Sequence, residues 1–319
     1  MFGELPKLLD RKFALGYFLP GATFITATIF LFSKLNLYAD IINQIQKDLL
    51  VGTTTIGLLS WLCGIFLLGT NRSIIRLAEG YGKYNPLKLL LRVEKRRYER
   101  AKKEIVILDE IYKETLKKQG VFPATLRLKR NHLMEEIVVG FPDKPELILP
   151  TSFGNTIRAF EVYPRVIYGI EAIQGWNRLV AIIPKDFLEL IDDAKSQLDF
   201  WINLGFLSIV FLAEYVGLII VTGQKETLWL PAITITVIMI ANSRAKSSAI
   251  QWGELIKSSF DVFLPKLLKE LAIDETSADQ REIWTKFSQR IIYRIPLTNP
   301  ETKTPIRDHK KNKKITKKQ

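Results

Sequence analysis

Residues 13–33, FALGYFLPGATFITATIFLFS, run for 21 positions without a charged side chain. A helix needs about 20 apolar residues to cross a hydrocarbon core about 30 Å thick, so this run reads as a membrane span. It is too long for the apolar core of a signal peptide and no small-residue cleavage site follows it, so it is expected to be retained. Similar runs occupy residues 51–70 and 203–222, and a shorter one residues 228–243. Trp201 and Trp229 stand at the edges of the second pair, where amphipathic indoles favour the membrane interface. The fold class expected from this pattern is mainly α: an integral membrane protein with four transmembrane helices in two hairpins and a largely helical cytoplasmic domain.

Basic residues beside the runs set the expected orientation. Lys7, Arg11 and Lys12 precede the first, Arg72, Arg76, Lys83 and Lys88 follow the second, and Arg244 and Lys246 follow the fourth. Between the runs of each pair, residues 34–50 carry only Lys34 and Lys47, and residues 223–227 only Lys225. The positive-inside rule therefore places both termini and residues 71–202 in the cytoplasm. The net charge of +13 over 319 residues is explained first by this topology, and a nucleic-acid partner is not expected. The expected organisation is an N-terminal transmembrane hairpin (1–70, spans 13–33 and 51–70), a cytoplasmic domain (71–202), a second hairpin (203–243, spans 203–222 and 228–243), a cytoplasmic helical extension (244–295) and a disordered basic tail (296–319).

Within the apolar runs, Thr53, Gly57, Ser60 and Gly64 form a stripe of small residues, and Ala213 and Gly217 repeat the spacing. Such stripes let helix backbones approach closely, either inside one bundle or between subunits of a homo-oligomer. Glu214 is the ionisable residue deepest in a run, which makes it a candidate intramembrane polar site. It reads either as an ion or proton site or as a protonated carboxyl bonded to hydroxyls such as Thr234 or Ser60.

The intervening part reads as mainly helical. A helix from about residue 87 to 118 carries Leu91, Tyr98, Ala101, Ile105, Leu108 and Tyr112 on one stripe, which Glu94 breaks. Its basic side, residues 88–103, reads in descending order as a solvated face, an anionic-lipid contact or a nucleic-acid contact, and a docking of it on the acidic face Asp186, Glu189, Asp192, Asp193 and Asp199 of a later helix is a further expectation. Pro142 and Pro145 separate short apolar runs at 137–141 and 147–149, which read as brief strands or linkers. In the stretch 149–184, Thr151 or Ser152 can cap a helix that Pro164 should end at Tyr163, and a second short helix spans residues 171–179. Asn155, Arg158, Glu161, Tyr168, Trp176 and Arg178 concentrate polar and aromatic groups there. They form a candidate binding surface, or equally a structural core with internal ion pairs.

Leu149, Pro150, Thr151, Gly154, Asn155, Arg158, Glu161, Tyr163, Tyr168, Gly169, Ile170, Trp176, Arg178 and Leu179 follow the pattern LPTxxGN, then Arg, Glu and Tyr, then YGI and a Trp followed by Arg and Leu. This pattern, with the later WGELIKSSFDVF at 252–263, resembles a family of bacterial membrane proteins with four predicted spans and no assigned activity. The resemblance runs from about Phe141 to Phe263. It implies a multi-pass protein of the bacterial inner membrane and leaves function open.

Several chemistries lack their signatures. A phosphate-binding GxxxxGK[ST] loop is missing, because Leu77 stands where Gly82 and Lys83 would need the first glycine. Neither GxGxxG, GxSxG, HExxH nor a paired CxxC occurs, Cys63 is the single cysteine, and the histidines are only His132 and His309. No cofactor, metal or enzymatic activity is expected. The sequence favours a membrane-anchored interaction or ligand-sensing protein, with an unidentified cytoplasmic protein or small ligand as partner. An oligomeric channel or transporter built around Glu214 is the alternative, and an enzyme with an unrecognised site the third reading.

Overall fold

The computed structural model describes residues 10–40, 42, 47–118, 120–223, 227–271 and 279–294; the expected basic tail, Lys7 and Lys225 lie outside the described residues. The chain is mainly helical, with no strand among the described residues. Its helices are α1 (Arg11–Lys34), α2 (Leu49–Ala78), α3 (Leu91–Lys117), α4 (Ala124–Gly140), α5 (Ser152–Tyr168), α6 (Ala172–Leu179), α7 (Lys185–Thr222), α8 (Leu230–Glu270) and α9 (Gln280–Tyr293). Of these, α1, α2 and α7 are long and apolar enough to cross a membrane. The expected fourth span is the first part of α8, where the apolar run from Leu230 to Ala241 gives way to Asn242 and Arg244. That run makes about 18 Å of helix at 1.5 Å per residue, less than a hydrocarbon core.

A proline organises the packing of α1. Pro20 lacks the N–H that would otherwise meet the Gly16 carbonyl, and its ring crowds that carbonyl. The helix widens into a π-type turn over Ala14–Phe18, and Asn203 Nδ2 of α7 donates to the Gly16 oxygen at 2.9 Å. One residue further on, Tyr17 Oη donates to Asp199 of α7 at 2.7 Å. Asn71 Nδ2 of α2 donates to the other oxygen of Asp199 at 3.1 Å, and Lys195 pairs with it from one turn earlier. Asp199 is 4% exposed, so these contacts replace the water a carboxylate requires. They tie α1, α2 and α7 together beside a core that includes Phe13, Leu67, Ile74, Phe153, Phe160 and Leu198.

The small-residue stripe is only partly used within the chain. A Cβ on Gly64 would stand 3.0 Å from the Phe13 ring, and one on Gly21 would stand 3.0 Å from the Ser60 carbonyl, so α1 seats against Ser60 and Gly64. Gly57 and Gly217 face open space.

Three local expectations change. First, α5 does not stop at Tyr163. It runs through the buried Pro164 to Tyr168 and closes where Gly169 adopts φ 79°, because proline removes one N–H while packing retains the rest of the turn. Tyr163 and Tyr168 both donate to Asp261 Oδ1 of α8, at 2.9 and 2.7 Å, holding that end in place. Second, residues 137–140 are helical, as the end of α4, and Leu147 lies in a 3₁₀ turn, Pro145–Leu147. The prolines fall after the helix and punctuate the connection. Third, α3 takes its charge partners from α4, through Arg97–Glu136 at 2.5 Å, Arg130–Asp109 at 2.5 Å and Lys129–Glu104. Asp192 of α7 instead meets Lys12 at 2.9 Å. Of the basic residues at 88–103, Arg97 pairs with α4, while the other two pairs join bases of α4 to acids of α3.

Tyr17→Phe should lower stability by about 1–3 kcal/mol, since it deprives a buried carboxylate of a donor and Asn71 of an acceptor. Thermal unfolding of the detergent-purified protein checks this. An unchanged midpoint would mean that the Asp199 network does not hold the bundle.

Candidate functional site

The last turns of α2, beyond the apolar run, are where the site begins. Arg72, Arg76 and Glu79 recur at helical spacing on one side of that end. The helix terminates in a Schellman-like turn, with Tyr81 N–H donating to the Arg76 carbonyl at 2.9 Å and Gly80 at φ 95°. Asn85 Nδ2 takes the Leu77 carbonyl at 2.7 Å. Thr151 then joins two helices with one hydroxyl: its Oγ1 donates to the Ala78 carbonyl at 2.9 Å and accepts from Gly154 N–H at 2.9 Å, capping α5. The approach is close enough that a Cβ on Gly154 would lie 2.6 Å from the Glu79 carbonyl oxygen.

This joint sets Arg158, Glu161 and Arg165 of α5 across from Arg72, Arg76 and Glu79. Between them lies a cavity of about 730 Å³, completed by Glu171–Gln174 at the start of α6, Lys195 and Leu198 of α7, and Trp252 of α8. The volume falls in the range of small-molecule sites, roughly 300–1,000 Å³. Ile75, Ile157, Val162, Ile173 and Leu198 supply its apolar wall.

Five cationic side chains line the cavity, Arg72, Arg76, Arg158, Arg165 and Lys195, against Glu79, Glu161 and Glu171. Lys195 is engaged with Asp199. Arg158 meets Glu161 at 3.1 Å and donates to the Tyr81 hydroxyl, and Arg165 stands 3.7 Å from Asp143. Arg76 lies over the Tyr81 ring, 4.7 Å from its centroid. Among the described residues, neither Arg72 nor Arg76 forms an ion pair.

Seven buried side-chain polar atoms have no hydrogen-bond partner among the described residues, and four belong to this lining: Arg158 Nε, Arg165 Nη2, Trp252 Nε1 and Asn71 Oδ1. Unmade buried hydrogen bonds cost about 1–3 kcal/mol each, although Arg165 Nη2 keeps its ion pair with Asp143. Three of the four are donors, two of them on guanidinium groups suited to oxyanions.

Glu79 is held closer to its protonated form in this setting. Burial, and then the like charge of Glu161, push its pKa up to about 7 against the opposing pull of Arg158 and Arg76. It also stands at the negative end of the α2 dipole, which further disfavours its charge.

The sequence-derived candidates divide. Arg158 and Glu161 line the cavity. Asn155 is fully buried and clamps the Leu149 N–H at 2.6 Å, the Leu149 carbonyl at 3.0 Å and Glu94 at 3.0 Å. The Glu94 that interrupts the apolar stripe of α3 is therefore the partner of this amide. Tyr168 is held by Asp261, Trp176 packs against Phe260, and Arg178 bonds the Gln174 carbonyl at 2.8 Å and lies over the Phe287 ring. Glu214 accepts from Thr28 Oγ1 of α1 at 3.0 Å, whereas Ser60 and Thr234 bond carbonyls of their own helices. Arg72, Arg76, Glu79, Tyr81, Arg165, Lys195 and Trp252 join the site without having been singled out for it. The available signal was the spacing of Arg72, Arg76 and Glu79, with the two arginines read as topology markers.

Because the Glu79 pKa is about 7 when folded and ordinarily 4.5, the folded chain retains a proton that the unfolded chain has released. Stability from this source is present at low pH and is lost as pH rises through 7, a change on the order of 3 kcal/mol. Glu79→Gln should raise the melting temperature at about pH 8 and flatten its dependence between about pH 5 and 8. Parallel pH dependences in wild type and variant would show Glu79 to be ordinary.

No protein-family model, curated protein or solved structure matches the chain, so the cavity is read from its own chemistry.

Proposed function

We propose that the chain is a four-span inner-membrane protein, with both ends in the cytoplasm, that binds a small anionic ligand in this cavity and transmits occupancy to its membrane helices. The observation that carries the reading is the gathering of four arginines and Lys195 around one cavity, with Arg72 and Arg76 in no ion pair among the described residues. Continuity supports the transmission: α2 and α7 run unbroken from the cavity wall into their apolar segments, and α8 runs from its apolar segment to Trp252. A fourth span in α8 is supported by its close seating on α7, where a Cβ on Gly205 would lie 3.4 Å from Ala241 Cβ. Arg72, Arg76, Arg244 and Lys246 all follow apolar runs, in keeping with a cytoplasmic cavity.

The groups facing the cavity are fixed cations, donors and carboxylates, a set suited to recognition, and the reading is of a sensor rather than an enzyme. The channel alternative is weakened by the bond from Thr28 to Glu214, which gives that carboxyl a partner within the chain. Gly57 and Gly217, facing open space, would suit contact with a second copy.

Cys63 supplies a native reporter. It is the chain's single cysteine, half-buried, and a Cβ on Gly21 of α1 would lie 3.3 Å from its sulfur. Saturating inorganic phosphate should change the alkylation rate of Cys63 by about fivefold in the wild type and leave Arg72→Gln/Arg76→Gln unaffected. Equal rates with and without phosphate in the wild type would overturn transmission from cavity to span.

A further inference from the structure

The exposed side of α2 leads directly to the cavity. Leu58, Leu62, Ile65, Gly69, Arg72 and Arg76 are spaced four, three, four, three and four, which puts them on one helical face. Leu58 and Leu62 are 56% and 50% exposed, Ile65 is half-buried, and Gly69 has nothing within 4 Å of the position its Cβ would occupy. The stripe is thus apolar and largely exposed up to Gly69, with Ile65 touching the core, then becomes cationic at two arginines that line the cavity and have no ion-pair partner among the described residues. Arg72 stands two residues past Thr70, where the apolar run ends. The polar layer on each side of a bilayer core is roughly 5–8 Å deep, so one helical turn spans most of it and brings Arg72 to the level of lipid phosphates.

We propose that the cavity receives the phosphate headgroup of an anionic phospholipid from the adjacent leaflet, with its acyl chains lying along the Leu58–Ile65 side of α2. The proposal rests on the anion-binding reading and names the ligand class. Arg72 and Arg76 engage the phosphate at the mouth. Arg158 and Arg165, on the α5 wall of the same cavity, add two further guanidinium groups to its positive charge. Glu161 and Glu171 of the lining can accept from headgroup hydroxyls, a polarity that a hydroxyl-bearing headgroup matches and a trimethylammonium group does not. The open position at Gly69 is the passage between the two halves of the ligand.

Native mass spectrometry of the full chain in detergent tests this with phosphatidylglycerol, phosphatidylcholine and glycerol 3-phosphate as probes. The expected result is retention of phosphatidylglycerol in preference to phosphatidylcholine, weakened at least about tenfold in Arg72→Gln/Arg76→Gln. Cooperative thermal unfolding of that variant without lipid, within a few degrees of the wild type, confirms that folding is intact. Gly69→Phe should block the passage, weakening phosphatidylglycerol while sparing glycerol 3-phosphate. Binding of glycerol 3-phosphate with no preference between the two lipids would overturn the lipid proposal and leave the anion-binding reading standing. Failure of every probe to bind would overturn both. Phosphatidylglycerol retention that ignores the arginine substitutions would place the lipid elsewhere and overturn the proposal.

Discussion

A single buried carboxylate constrains everything above it. Asp199 sits where α7 approaches its apolar segment, with almost no access to water, and an isolated charge there would cost several kcal/mol. Tyr17, Asn71 and Lys195 provide the compensation, and two of them come from other helices. Rotation of α1, α2 or α7 about its axis would break a contact whose loss is expensive, so the network fixes the azimuth of all three. Asn71 and Lys195 also line the cavity, which makes the network its floor.

Upon that floor, the wall is built from helix ends. The α2 carbonyls at Leu77 and Ala78 are taken by Asn85 and Thr151, and the same Thr151 hydroxyl starts α5. Only glycine at 154 permits that approach, since any Cβ would overlap the backbone of Glu79. The result faces two short rows of charge toward each other across open space. Neighbouring ion pairs neutralise part of that charge, and Arg72 and Arg76 remain without an ion pair among the described residues. The physical reason for reading the cavity as a candidate site is this excess of positive charge around one open space.

Length and apolarity made three membrane-length helices legible, because a run such as residues 203–222 needs no knowledge of its neighbours. The cap at Thr151 was equally local. Passage of α5 through Pro164 was hidden, since the packing that sustains it comes from Asp261, 98 residues after Tyr163. The candidate site was half legible for the same reason. Polar density in residues 149–184 pointed to Arg158 and Glu161, yet Asn155 spends its amide on Leu149 and on Glu94, 61 residues away. Arg72 and Arg76 were legible as basic residues after an apolar run, and only the opposing wall of α5 reveals that they also line a cavity.

The hydrogen bond between Tyr17 and Asp199 joins residues 182 positions apart, and Asn71 waits for Asp199 across 128. At a synthesis rate of about 5–20 residues per second, the first delay is about 10–35 s. During that interval the α1–α2 hairpin has left the ribosome with its tyrosine hydroxyl, its asparagine and the Gly16 carbonyl still lacking their α7 partners. Completion of the N-terminal hairpin is thus a late event in the life of the nascent chain, timed by the emergence of α7. Any slowing of synthesis between α2 and α7 lengthens the time for which these groups wait.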